Sequence, residues 1–146
     1  MKRFFLPLLA ALFLLSARSD AQQSFEIWFD AGSVRYHGLL LASPSNPNWW
    51  LRVKYYDSEC PCTRLIEQKM SVEKTMMGFR LNGSDVRDVK KNKYVSDYSA
   101  DNFYIYNTAD GNFQIKNIDD QGVVANARIF LVDGASILQK LKEFNW

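Results

Sequence analysis

The chain has 146 residues, of which 47% are hydrophobic, 14% aromatic and 23% charged, with a formal net charge of +2. This length predicts one domain that can bury a core without several disulfides or a metal. The basic excess lies in residues 1–21, and the remaining chain carries 15 basic and 15 acidic residues. A balanced charge is not the electrostatic footprint of a nucleic-acid-binding protein, so we expect no nucleic-acid partner.

Residues 1–21 have the pattern of a secretory signal peptide. A basic start (residues 1–3) precedes an apolar run from Phe4 to Leu15, and small residues at Ser19 and Ala21 predict cleavage before Gln22. The apolar run has 12 residues, fewer than the about 20 that a membrane-spanning helix needs. We therefore predict a signal peptide (1–21), a single β-rich domain (22–146) with no further transmembrane segment, and export to the periplasm, the cell surface or the extracellular medium.

A two-residue periodicity follows and predicts strands. Apolar and polar residues alternate, or short apolar runs occur, in Phe25–Phe29, Val34–Ala42, Trp49–Tyr56, Ile66–Val72, Phe79–Leu81, Phe103–Tyr106, Phe113–Lys116 and Ala127–Val132. Turn residues separate these segments, and Asp110-Gly111 marks the clearest hairpin. The pattern predicts an all-β fold: an antiparallel sandwich or a small barrel of about 7–9 strands.

The region after the fifth predicted strand is less regular. Asn82-Gly83 is interpreted as a turn because Asn-Gly is a strong turn dipeptide. The stretch from Ser84 to Asn102 predicts a long loop, and loops of more than about 12–15 residues are usually functional or mobile.

The C-terminal segment changes to helical spacing, with apolar residues at Ile137, Leu138, Leu141 and Phe144. This spacing predicts a short amphipathic helix that begins near Asp133 or Ser136, either of which can cap it. Such a helix can cover an open end or edge of the sheet.

Cys60-Pro61-Cys62 is the most unusual local motif. Exported proteins usually pair their cysteines, and a disulfide here would close a very small ring of the kind that is easily reduced. Cys60 and Cys62 are therefore a candidate redox pair, and the alternative is a proline-stiffened turn whose thiols are free or locally bridged. A lone Cys-x-Cys lacks the second ligand pair of a structural zinc site, so we predict no metal site and no cofactor.

His37 is the only histidine, so any Ser-His-Asp or Cys-His mechanism must use it. It lies within a predicted strand, and no nucleophile elbow, zinc-binding helix or phosphate-binding loop accompanies it. We expect no catalytic residue, because catalysis needs a base, an orienting group and a nucleophile in register.

Aromatic residues are the best candidates for a binding surface. Neighbouring residues on a strand face opposite ways, so only one of Trp49 and Trp50 can lie in the core. The aromatic residues predicted to face outward, and so to stack on sugars or anchor a protein, are Trp28, Trp50, Tyr56, Tyr104 and Tyr106. The alternative is that a second apolar layer covers them.

Five segments in this order resemble a family of β-rich domains in exported bacterial proteins: Arg35–Leu40, Leu51–Tyr55, Ile66–Met70, Gly78–Gly83 and Tyr98–Phe103. The resemblance spans most of residues 34–125, and the Cys60-Pro61-Cys62 turn is not part of its pattern. That family has no assigned activity, so the resemblance implies a bacterial envelope location and no functional residue.

The sequence thus favours an exported non-catalytic binding domain of the bacterial cell envelope, with a protein or glycan as its partner. Two alternatives stay open. One is a small β-barrel that carries an apolar ligand. The other is a secreted hydrolase or redox protein that uses His37 or the Cys60/Cys62 pair.

Overall fold

The computed structural model describes residues 22–43, 45–119, 122–125 and 127–146. The predicted signal peptide lies outside the described residues. Within these described ranges, ten strands and one helix follow in chain order: β1 (Gln23–Ala31), β2 (Val34–Ala42), β3 (Asn48–Asp57), β4 (Cys62–Lys74), β5 (Gly78–Asp88), β6 (Lys93–Tyr94), β7 (Asn102–Asn107), β8 (Phe113–Asp119), β9 (Gly122–Ala125), β10 (Ala127–Leu131) and α1 (Ile137–Glu143).

The strands form one antiparallel sheet that curls into a nearly closed barrel. Its order is β10-β1-β2-β3-β4-β5-β7-β8-β9, and the short β6 pairs with β5 beside this path. β10 also lies against β8, which brings the two edges of the sheet together. The predicted all-β class is confirmed, in its barrel form. In the described part of the chain, no helix is both long and apolar enough to cross a bilayer.

Strand alternation fills the barrel interior with apolar side chains. Each strand turns every second residue inward, so Phe25, Ile27 and Phe29 of β1 meet the inward residues of β2, β3 and β7. Leu51 and Phe103 are fully buried in this core. Trp49 is 7% exposed and Trp50 42%, so the prediction that only one of them enters the core is confirmed.

Two predictions around β5 are wrong. Asn82-Gly83 is not a turn: β5 runs through it to Asp88, and β6 lies within the predicted loop. Glycine is needed at position 83 because the backbone of another segment approaches it closely. A Cβ there would lie 2.5 Å from the backbone oxygen of Asp101. Its amide donates to that oxygen at 2.9 Å, which holds the segment before β7 against β5.

The predicted C-terminal helix is confirmed as α1, which packs on the outside of the barrel. Phe144, directly after α1, is fully buried against Leu39 and Leu65 on the outer faces of β2 and β4. Asp133 accepts a hydrogen bond from the Ser136 amide at 2.9 Å, whereas the Ser136 side chain makes no cap. α1 therefore covers an apolar patch around Leu39 and Leu65 on the outer face of the sheet.

Two apolar segments carry large exposed side chains. β10 is a strand, but its Phe130 and Leu131 are 52% and 55% exposed, and only Ile129 is buried. Leu138 of α1 is 77% exposed, although it lies in the apolar stripe. α1 spans only two turns, so Leu141 and the following Phe144 make its contact with the sheet.

Candidate functional site

A cleft of about 840 Å³ opens at the end of the barrel where β1 joins β2 and β3 joins β4. Its floor is the top of the barrel core at Phe29. Its walls come from the start of β2, the end of β3 and residues 97–102, which lead into β7. We call this space the cleft.

Three tyrosines pack against one another in the cleft. Tyr36 and Tyr55 are paired on β2 and β3, with ring centroids 5.0 Å apart. Tyr98 lies 5.5 Å from Tyr55 and 6.2 Å from Tyr36. Phe29 stacks beneath Tyr36 at 4.9 Å. Tyr36 and Tyr55 occupy inward positions of their strands. The same alternation that directs apolar side chains into the core therefore places these tyrosines at the end of the barrel where the cleft opens.

Asp101 lies beside these rings on a buried polar network. Its Oδ2 accepts hydrogen bonds from Gln68 Nε2 at 2.6 Å and from the Tyr98 hydroxyl at 2.7 Å. The Asp101 amide donates to Gln68 Oε1 at 2.7 Å, so both ends of the fully buried Gln68 side chain are used. Burial raises the pKa of Asp101 to about 6, against the opposing effect of the two hydrogen bonds.

Burial and the negative charge of Asp101 also affect the phenols. Burial raises the pKa of Tyr55 to about 12, although the nearby Arg64 opposes the shift. The pKa of Tyr36 is raised by burial and by Asp101, and the pKa of Tyr98 is raised further by the same causes. All three hydroxyls therefore stay protonated at neutral pH.

Among the described residues, Arg64 is the one basic side chain that lines the cleft, and its hydrogen-bond and ion-pair partners are all acidic. It binds Asp97 through two hydrogen bonds of 2.8 and 3.2 Å. It also reaches Asp57 at 3.4 Å and Asp88 at 3.9 Å. The hydrogen bonds from Arg64 lower the pKa of Asp97. The Arg64 guanidinium is therefore paired with carboxylates of the protein itself.

The candidate redox pair lies at the tip of the β3–β4 turn, next to the cleft. Cys60 and Cys62 are joined by a disulfide. Their turn borders a smaller cavity of about 400 Å³, which Asp57, Glu59 and Arg64 share with the cleft. Whether the pair cycles between thiol and disulfide stays a prediction.

A second group of charges lies on the outer wall beneath α1 and is called the outer cluster here: Glu26, His37, Lys54, Lys140 and Glu143. Glu26 accepts from His37 Nε2 at 2.5 Å and from Lys140 Nζ at 2.9 Å. Lys54 donates to Glu143 at 2.7 Å.

His37 is enclosed by aromatic rings within this outer cluster. Trp28 stacks on it at 3.7 Å, and Phe144 meets its edge at 5.0 Å. Burial lowers the pKa of His37, although its hydrogen bond to Glu26 opposes the shift. Burial also opposes the ionisation of Glu26, but the hydrogen bonds from Lys140 and His37 outweigh it and lower its pKa.

The five predicted binding aromatics are not brought together. Tyr56 is 59% exposed and lines the cleft, whereas Trp28 packs on His37. Trp50 is exposed on β3, and Tyr104 and Tyr106 stack on each other on β7 at 5.5 Å. Strands β4 and β5 separate β3 from β7, so the five residues lie at four separate places on the barrel.

Sequence reasoning missed Tyr36, Tyr55, Gln68, Tyr98 and Asp101. Gln68 carried a signal, because it is a polar residue in the inward register between Ile66 and Met70. Tyr98 and Asp101 fall in the stretch predicted as a functional or mobile loop. Within the described ranges, no group of three or more His, Cys, Asp or Glu side chains is placed to hold a metal ion.

Compared with models of protein families, with curated proteins and with solved structures, the chain has no match. The resemblance to a family of exported bacterial domains therefore stays a prediction.

Proposed function

We propose that this protein is an exported, non-catalytic binding protein of the bacterial cell envelope that holds a small molecule in the cleft. The observation that carries the proposal is the cluster of Tyr36, Tyr55 and Tyr98, three half-buried rings that line open space. Small-molecule sites are typically concave, about 300–1,000 Å³ in volume, and combine aromatic walls with a few polar groups. The cleft has this size and this composition.

The lining of the cleft favours a ligand with polar groups over a purely apolar one. Among the described residues, fourteen buried apolar side chains pack together within the barrel. The cleft above them presents carboxylates and phenols. An apolar ligand would leave these polar groups without water or a partner, which is unfavourable.

A binding role is better supported than catalysis. His37 lies in the outer cluster, where its hydrogen-bond partner is Glu26. No serine, threonine or cysteine side chain in the described part of the chain forms a hydrogen bond with His37. The nucleophile and base that an acyl-transfer enzyme needs are therefore not paired here.

The proposal is tested by NMR titration of the purified full chain with a panel of small sugars, amino acids, amines and nucleosides. We expect at least one compound to shift the amides of Tyr36, Tyr55 and Tyr98 in a saturable way. Tyr55→Leu keeps apolar bulk and should weaken that binding about tenfold, a loss of about 1.4 kcal/mol. Tyr106→Leu, a matched change on β7 outside the cleft, should leave it unchanged.

Two results would contradict the proposal. One is that no compound binds. The other is that saturable shifts occur only around Trp50 or around Tyr104 and Tyr106. That result would mean that the ligand binds an exterior aromatic surface and not the cleft.

A further inference from the structure

Among the described residues that line the cleft, acidic side chains outnumber basic ones. Four carboxylates line it, from Asp57, Glu59, Asp97 and Asp101, against the guanidinium of Arg64. Arg64 is held by Asp97 and Asp57, which leaves Glu59 and Asp101 without a basic partner within 4.0 Å among the residues that the structure describes. Glu59 lies on the exposed turn, whereas Asp101 is half-buried.

Asp101 is the charge with the least compensation. Its two donors, Gln68 and Tyr98, are neutral and share one carboxylate oxygen, Oδ2. An ionised carboxylate removed from water is costly unless a cation or several donors offset the loss of hydration. With a pKa of about 6, Asp101 is mostly ionised at pH 7 in spite of that cost. A cation in the cleft would therefore gain more from Asp101 than from a solvated carboxylate.

The tyrosines add a second attraction for positive charge. Aromatic rings attract cations to their faces, and the interaction strengthens where water is excluded. Arg64 lies 5.8 Å from the centre of the Tyr55 ring, so one face of this ring already receives a cation of the protein. Tyr36 and Tyr98 are within 6.2 Å of each other beside Asp101. A carboxylate flanked by phenol rings favours an ammonium group over a phosphate or a carboxylate.

We infer that the ligand of the cleft is a small organic cation, an amine whose ammonium group is received by Asp101 and by the faces of the surrounding tyrosines. This inference rests on the proposed function, because it names the chemical class of the molecule that the cleft holds. Anionic ligands are disfavoured by the excess of carboxylates, and neutral ligands of the same shape gain less.

Three probes of one skeleton test the inference: phenethylamine, phenethyl alcohol and phenylacetate, which are cationic, neutral and anionic at pH 7. Isothermal titration calorimetry on the full chain measures each affinity. We expect the amine to bind about tenfold more tightly than the alcohol, because one charge-assisted contact contributes an affinity gain of about this size. The acid should bind most weakly. Added salt should weaken the binding of the amine and leave the affinity of the alcohol unchanged.

Variants assign the effect to Asp101. Asp101→Asn should bring the amine to the affinity of the alcohol, while Glu73→Gln, the same charge change on the exposed outer face of β4, should preserve the difference. Should Asp101→Asn fail to fold, Glu59→Gln on the exposed turn serves instead, with an expected loss of about threefold for the amine alone.

The outcomes separate the two proposals. Equal binding of the amine and the alcohol, both lost in Tyr55→Leu, would overturn the cation and leave the proposed function intact. Preference for phenylacetate would also overturn the cation. Failure of every probe and of the whole NMR panel would overturn both.

Discussion

The outer cluster lies on the outside of the barrel wall and the cleft lies at the end of the barrel, and the charged side chains of the two places are partnered differently. In the outer cluster, Glu26 binds Lys140 and Glu143 binds Lys54, so the carboxylates meet cations of the protein itself. In the cleft, Asp101 has two neutral donors and open space. Charges that are paired within a chain hold its parts together, whereas a charge without a basic partner beside a cavity is available to a ligand.

Phe144→Ala should give the largest effect, because the outer cluster depends on the docking of α1. Phe144 is fully buried against the outer wall, and Phe→Ala in such a site costs about 3–5 kcal/mol. The free energy of unfolding, from urea denaturation, measures the loss. Leu138→Ala on the same helix is the control, with an expected change below about 0.5 kcal/mol because Leu138 is 77% exposed. Equal effects of the two variants would show that α1 does not depend on this anchor.

Asp101→Asn should change stability in the opposite direction. The pKa of Asp101 is raised from 3.8 to about 6 on folding, so the folded protein binds this proton more tightly than the unfolded chain. The stability it contributes is therefore present below about pH 4 and is lost as pH rises through 6. The variant should equal the wild type near pH 4 and be more stable at pH 7 by up to about 2–3 kcal/mol.

Thermal unfolding across pH 4–8 measures this difference, and Glu73→Gln should show no such rise relative to the wild type. A variant that is less stable than the wild type at pH 7 would mean that the hydrogen bonds of Asp101 outweigh its desolvation. Asp101 would then belong with the structural charges of the outer cluster.

Glu26→Gln tests the charge pairing of the outer cluster. It leaves Lys140 and His37 without their shared acceptor charge and should cost about 1–2 kcal/mol at pH 7. Because the pKa of Glu26 is lowered in the folded protein, its contribution is present at neutral pH and is lost on acidification. A double-mutant cycle with Lys140→Met isolates the pair. A coupling energy near zero would show that the outer cluster does not hold α1.

Much of the barrel could be predicted from the sequence, because its signals are local. Two-residue alternation identified β1 to β3, and Asp110-Gly111 identified the β7–β8 hairpin. Helical spacing around Leu141 and Phe144 identified α1. These features depend on residues close in the chain, where periodicity and turn chemistry decide the conformation.

The cleft could not be predicted in the same way, because long-range pairing builds it. Tyr36 and Tyr55 meet only because β2 and β3 pair in one register, and Gln68 reaches Asp101 across 33 positions of sequence. Gly83 was misread for the same reason: its local signal is a turn, but the approach of Asp101 decides its place within β5. Closure of the sheet likewise depends on β10 meeting β8, which no local pattern encodes.

The Cys60–Cys62 disulfide should have the smallest effect and should act on the cleft side alone. A bridge between cysteines two positions apart constrains the unfolded chain little, so replacing both by serine should cost about 1 kcal/mol or less. Changes in amide hydrogen exchange should be confined to the β3–β4 turn, which contributes Ser58 and Glu59 to the cleft. α1 and the outer cluster should exchange as in the wild type, because their contacts lie on the barrel wall beneath α1. Altered exchange at Phe144 would show that the cleft and the outer cluster unfold as one cooperative unit. The distinction between charges that hold the fold together and charges that are available to a ligand would then be wrong.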